Sequence, residues 1–280
     1  KYKGLFIKHN VNHFINSFYL LFGNLITLLK NEGSRLVMVP FVGAIQLVAY
    51  VTMKTANNIL KQLFNSFSNS LLIEFSAYIN KKDKIKFIKT YTFLIAILSI
   101  VIIPIAFFFQ IVISDLFLLW TRGKIQFDNI LFASMTIAFL IIIFYQPAYL
   151  IIKSRNLFFE EMKISIISSI IFIVLFIIFI QKYSIRGVGY TLIATEITAC
   201  IYFFLYANKW LEKKFIKFDK KIIFCSLIDL IISSVLIMLI AKSFNNYLLL
   251  ICIFSLYKIF FGFLLFKIFF NKKDFNFLNQ

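Results

Sequence analysis

The sequence predicts an all-α integral membrane protein with about eight transmembrane helices. Three observations lead there. Hydrophobic residues make up 61% of the 280 and charged residues only 15%, with a mean hydropathy of +0.90, whereas a soluble domain of this length needs far more polar surface. Apolar runs such as "FLIAILSIVIIPIAFFF", "IIFIVLFIIFI" and "LIDLIISSVLIMLIA" recur along the chain, and with their flanks they approach the roughly 20 residues a spanning helix needs. The 30 Lys and Arg against 12 Asp and Glu, a net charge of +18, fall in short clusters between these runs. That is the pattern of the positive-inside rule rather than of a basic nucleic-acid-binding domain.

The elements follow in order. The opening "KYKGLFIKHNVNHF" starts mid-pattern with Lys1 and has no signal-peptide layout. We expect it to continue from a longer chain whose N-terminal part lies upstream. Residues 1–13 read as an interfacial amphipathic segment: Ile7, Val11, Phe14, Ile15 and Phe18 share one face, and Lys8, Asn12 and Asn16 fall away from it. His9 and His13 are four residues apart, but no acidic or cysteine partner is near, so solvated interface histidines are expected rather than metal ligands. The eight spans are then about Phe14–Val39, Gly43–Tyr78, Lys86–Ile113, Gln126–Ile152, Met162–Gln181, Arg186–Asn208, Ile222–Lys242 and Tyr247–Phe270. Pro40 and Gly43 supply the break between the first two. Pro104 and Pro147 sit inside spans and are expected to kink them. The three cysteines, Cys200, Cys225 and Cys252, lie in apolar runs; buried thiols there act as small hydrophobes, and their odd number argues against a disulfide framework.

Loop charges set the orientation. With the first residues inside, twenty Lys and Arg fall on inside segments and seven on outside ones. Every inside segment contributes, so both ends of this piece are expected to be cytoplasmic. Lys54, Lys61 and Lys258 remain within spans. Lys258 is expected to snorkel or to face a neighbouring helix.

The stretch "KTANNILKQLFNSFSN", Lys54–Asn69, interrupts the second span with two lysines and four asparagines. On a helix Lys54, Asn58, Lys61, Asn65 and Ser68 follow spacings of 4, 3, 4 and 3, which puts them on one face over about 21 Å of rise. Asn57 and Asn69 border that face. Asparagine and serine serve as hydrogen-bonding glue between membrane helices. Two lysines without a carboxylate at i±3 or i±4 do not fit that role. A polar seam of this kind is expected to line a solvated cationic cavity, and a cationic cavity implies an anionic passenger. Glu74, Glu196 and Asp229 are the intramembrane carboxylates available for ion coupling. At most one is expected to be indispensable, with Glu74 leading because it shares the span of the stripe. No paired carboxylates, Gly-rich phosphate loop, Cys/His cluster or nucleophile–base arrangement is present, so no enzyme and no cofactor is expected. The longest exterior loop is expected at about Ser114–Ile125.

Four segments together resemble the C-terminal half of bacterial polysaccharide flippases. These are the O-antigen and capsule branch of the multidrug/oligosaccharidyl-lipid/polysaccharide exporter superfamily. "KNEGSRLVMVPFVGAIQLVAYVTMKTANNIL" is similar to a first-span end, a glycine turn, then tyrosine before a basic-polar helix. "LLIEFSAYINKKDKIKFIKTY" looks like a helix end with its basic cytoplasmic loop. "IVISDLFLLWTRGKI" looks like an exterior loop with Trp, and "GVGYTLIATEITACIYFFLYANKW" like a glycine-led span ending in a basic loop. They cover about Phe14–Trp210. The chain departs from the pattern at Gly33-Ser34, which precede Arg35 while Glu32 is displaced, and at Glu74, where many relatives have Pro.

The resemblance implies that residues 14–210 form the second six-helix lobe of a two-lobed exporter and 211–280 two additional transmembrane helices. It implies flipping of an undecaprenyl-diphosphate-linked oligosaccharide across the bacterial inner membrane, with Lys54, Asn58, Lys61, Asn65 and Arg35 in the cationic lumen. The partners are then the lipid-linked substrate, membrane lipids and, as a further partner to be tested, the polysaccharide polymerase machinery; nucleic acid is not among them. The competing expectations are a drug or metabolite exporter of the same superfamily, disfavoured by the basic stripe, and a membrane-embedded polysaccharide polymerase. A third is a scaffold using the stripe as a protein interface.

The orientation is testable directly. Single cysteines placed at Lys82 and Lys217 in a cysteine-free background should resist an impermeant thiol reagent added to intact cells. Labelling of either position would reverse the topology.

Overall fold

A computed structural model describes residues 2–81, 83–213, 220–242 and 247–269. Among these residues every regular element is helical. The helices are α1 (Tyr2–Leu28), α2 (Ser34–Lys81), α3 (Lys84–Ile97), α4 (Ile103–Thr121), α5 (Asn129–Ser154), α6 (Phe158–Tyr183), α7 (Ile185–Lys213), α8 (Lys220–Lys242) and α9 (Tyr247–Phe269). Two π-helical segments join neighbours without a loop: π1 (Leu29–Gly33) between α1 and α2, and π2 (Leu98–Ile102) between α3 and α4. Six stretches are long and apolar enough to cross a membrane, the first being Phe14–Gln62, and Leu249–Phe263 is a shorter apolar helix. The all-α membrane class expected from composition is the one observed. Lys82 and Lys217 lie outside the described residues, as do the side chains of His9 and His13.

Most boundaries fall within a few residues of expectation, and the departures have local causes. The first segment runs into its span without a break, as α1 is continuous from Tyr2 to Leu28. The break at Pro40–Gly43 is present inside α2. Gly43 has φ +79°, ψ 166° and open space around it, a backbone conformation that only glycine adopts freely. The expected loop Ser114–Ile125 is mostly helix. α4 continues through Trp120 because Phe117 is buried, and it ends where Arg122 turns left-handed and Gly123 follows with φ +70°. What remains is a short connection to Asp128, whose carboxylate accepts the Leu131 N–H at 2.9 Å and caps α5. The same carboxylate pairs with Arg186 at 2.8 Å, tying that end of α5 to the start of α7.

α5 is the axis of the fold. It has no charged residue between Asn129 and Ile152, and a helix that is apolar all round belongs in the interior. Residues Leu131–Ile141 are buried without interruption. α7, α2, α8 and α4 all pack on it, while α1 packs on α6 and α6 on α7. α8 and α9 contribute Ile222, Leu230, Ile237, Leu250 and Phe254 to the same apolar core, and Phe254 stacks on Phe107 of α4 at 3.6 Å. Large apolar side chains on the outer faces, such as Ile45, Leu119, Ile170, Leu205 and Ile259, are exposed, as hydrocarbon contact requires.

At the far end of α5, tyrosine hydroxyls hold the two acids in the first turn of α6. Tyr149 donates to Glu161 at 2.6 Å and Tyr202 to Glu160 at 2.5 Å. Negative charge is favoured there by the helix dipole.

The approach of α7 to α5 depends on Gly189. A Cβ on that residue would stand 2.6 Å from the Ser134 Cβ of α5, so the α7 backbone packs directly on the Ser134 side chain. Gly189→Ala should therefore cost roughly 1–3 kcal/mol by overpacking. Gly262→Ala, in open space, should be neutral. Thermal unfolding of the two variants in detergent checks the pair.

Candidate functional site

The polar stretch of α2 divides into a packed row and an open row. Tyr50, Met53, Asn57, Phe64, Ser68, Leu71 and Phe75 are buried, at spacings of three, four and seven that put them on one face. Their polar members bond to α5: Asn57 Nδ2 donates to Thr136 Oγ1 at 3.4 Å, and Gln146 Nε2 donates to Ser68 Oγ at 2.8 Å. Ser68 is thus interhelical glue, not the end of an aqueous stripe. It lies four residues after Phe64 and seven before Phe75, so it follows the buried row. Lys54, Asn58 and Lys61 are half-buried beside that row, and Asn65 is exposed.

The cations of the open row belong to a larger constellation. Lys54 stands over the Tyr50 ring at 5.7 Å, within electrostatic reach of Arg35, Lys61, Lys30 and Glu32. Lys61 is within reach of Glu196 and Lys30. Lys30 itself lies 6.0 Å over the Phe172 ring of α6. π1 presents Lys30 and Glu32 just before Arg35, whose guanidinium pairs with Glu32 at 2.7 Å. Glu196, on α7, accepts a hydrogen bond from the buried Tyr145 hydroxyl of α5 at 2.9 Å.

The expectation that no carboxylate stands near the lysines holds only along their own helix. Glu32 and Glu196 approach from π1 and α7, which sequence spacing could not show. Four cations nevertheless face two carboxylates, and among the described residues neither Lys54 nor Lys61 has a carboxylate oxygen within 4 Å. The group thus carries a formal excess of positive charge.

The remaining carboxylates are placed differently. Glu74 is exposed near the end of α2. Asp229 is fully buried in α8 and bonded to Lys258 of α9 at 2.7 and 2.8 Å. Of the two expectations for Lys258, facing a neighbouring helix is the one observed. The signal for that pair was legible. Asp229 lies 13 residues before the end of α8 and Lys258 lies 11 after the start of α9, so the two fall at matching depth in an antiparallel pair. Among the described residues no group of three or more His, Cys, Asp or Glu is placed to hold a metal ion.

On the other flank of α2, Leu60 and Phe64 line a cleft of about 330 Å³ with Ile97, Val101, Ile105 and Phe139. It is apolar throughout and does not share the cationic face.

The division of α2 predicts opposite behaviour for two neighbouring positions. Ser68→Ala leaves the Gln146 amide without its partner and should lower stability by about 1 kcal/mol, the scale of interhelical hydrogen bonds in membranes. Asn65→Ala should leave the unfolding midpoint unchanged. No protein-family model, curated protein or solved structure matches this chain.

Proposed function

We propose that this chain is a lobe of a membrane transporter. Its cargo is an undecaprenyl-diphosphate-linked oligosaccharide, moved across the bacterial inner membrane for surface polysaccharide assembly. One observation carries the reading: Arg35, Lys61 and Lys30 lie within electrostatic reach of Lys54, and among the described residues Glu32 and Glu196 are the carboxylates that reach the two lysines. A single charge at the centre of a membrane helix costs about 2.5–3.5 kcal/mol on insertion scales. A positive excess at that depth is stable where water reaches it, and useful where an anion replaces the water.

A diphosphate head group meets that requirement. Lys54 and Lys61 are two turns apart on α2 and offer successive contacts to one moving anion. Asn58 lies between them and Asn65 beyond, as amide partners for phosphate or sugar hydroxyls. Arg35 and Lys30 extend the positive surface toward π1. The polyprenyl chain stays in lipid while a second lobe closes the other wall of the cavity, and rocking of the lobes exchanges the open side. Of the three carboxylates expected to couple ions, Asp229 is committed to Lys258, which leaves Glu74 and Glu196. Glu196 is the one within reach of the cationic face.

The experiment is complementation with the full-length gene in a flippase-null strain. Lys54→Gln with Lys61→Gln should insert and accumulate normally yet fail to restore surface glycan, and arginine should replace either lysine better than glutamine. Full glycan export by the glutamine pair would make these lysines packing residues and remove the reading.

A further inference from the structure

The polar groups where α8 and α9 meet π2 lie apart from the cationic face of α2, and the transport reading leaves Lys258 unused. Backbone chemistry explains why they gather there. The Ile103 N–H bonds to the Leu98 carbonyl, five residues back, and so is withdrawn from the Ser99 carbonyl, its ordinary α-helical partner. In the π register the donor to Ser99 would come from residue 104. That residue is proline, which has no N–H. The Ser99 carbonyl is thereby orphaned in both registers, at a depth where hydrocarbon offers no substitute.

Lys258 supplies the missing donor. Its Nζ bonds to the Ser99 carbonyl at 3.0 Å and to both oxygens of Asp229 at 2.7 and 2.8 Å, which uses all three ammonium N–H groups. Asp229 Oδ1 also accepts from the Tyr257 hydroxyl at 2.8 Å and the Ser233 hydroxyl at 3.4 Å, which hold the carboxylate in place. The Ser99 hydroxyl is buried beside its own carbonyl without a partner. Around the nitrogen there are thus two carboxylate oxygens and one main-chain carbonyl, with one formal negative charge. Hard oxygen donors of this kind suit hard cations, and a single carboxylate balances a single positive charge.

We propose that this pocket is an alkali-cation site filled in cis, with the Lys258 ammonium in the place of a sodium or potassium ion. The tethered cation closes the α8–α9 pair onto π2 whatever the ions outside. Removing the ammonium converts a salt-independent clamp into one that needs a free alkali cation. In this arrangement Asp229 holds a fixed counter-ion rather than a travelling proton.

The test follows the unfolding midpoint of the full-length protein in detergent, in sodium, potassium and choline chloride at one ionic strength. Wild type should show one midpoint in all three. Lys258→Ala should melt lower in choline and regain roughly 3 °C as sodium or potassium saturates the pocket. Asp229→Asn with Lys258→Ala should lose that rise. An equal response of Lys258→Ala to choline and alkali salts overturns the proposal, as does a rise that survives in the double variant. Should Lys258→Ala fail to accumulate, cellular yields decide. The double variant must accumulate better, because it no longer buries an unpaired carboxylate; equal yields overturn the proposal.

Discussion

A polar group inside hydrocarbon must find its partner within the protein or sit where water reaches it. That constraint sorts nearly every informative residue of this chain. Asn57 and Ser68 satisfy it by bonding across to Thr136 and Gln146 on α5. Asp229 and Lys258 satisfy it by neutralising each other, with the leftover ammonium hydrogen spent on the Ser99 carbonyl. Lys54 and Lys61 satisfy it by neither route. Their carboxylates are fewer than the cations around them and stand farther off than an ion pair.

The same constraint accounts for the architecture. A segment with no charge over 24 residues (Asn129–Ile152) is the one helix that others can surround on every side, and α5 occupies that place. α7 can lie close to it because Gly189 adds no side chain where Ser134 of α5 already fills the gap. The α3–α4 helix tolerates Pro104 because the π-segment before it shifts the hydrogen-bond ladder, and the single carbonyl left over is answered from α9. Irregular backbone persists in a membrane only with such an answer.

Much of this was legible in the sequence, and the rest was hidden for physical reasons. Apolar run length gives the helices, and the Pro40–Gly43 pair gives the break in α2, because both are local properties. The lysine stripe was visible because i, i+3 and i+4 spacing is also local. Ser68 was misplaced because a stripe at those spacings spreads over a wide arc, and only the position of α5 decides which edge is buried. The partner carboxylates Glu32 and Glu196 were invisible along α2 because they arrive from other elements. The exterior loop is shorter than its sequence suggests because "DLFLLWT" has both loop charge and helix-forming apolar residues, and burial of Phe117 settles it as helix. Asp229 and Lys258 could have been paired by counting from the turn between α8 and α9.

The contrast between the two intramembrane lysine sites bears most on function. Lys258 shows how this fold treats a cation whose work is structural: full bonding to a bidentate carboxylate and a main-chain carbonyl. Had Lys54 and Lys61 the same purpose, Glu32 and Glu196 would be expected to close on them likewise. Instead Glu32 pairs with Arg35, and Glu196 accepts from Tyr145. Both carboxylates are thereby engaged by other groups, and the lysine ammoniums are left half-buried with their charge uncommitted. A lysine that only held helices together would close on a carboxylate as Lys258 does, and these two do not.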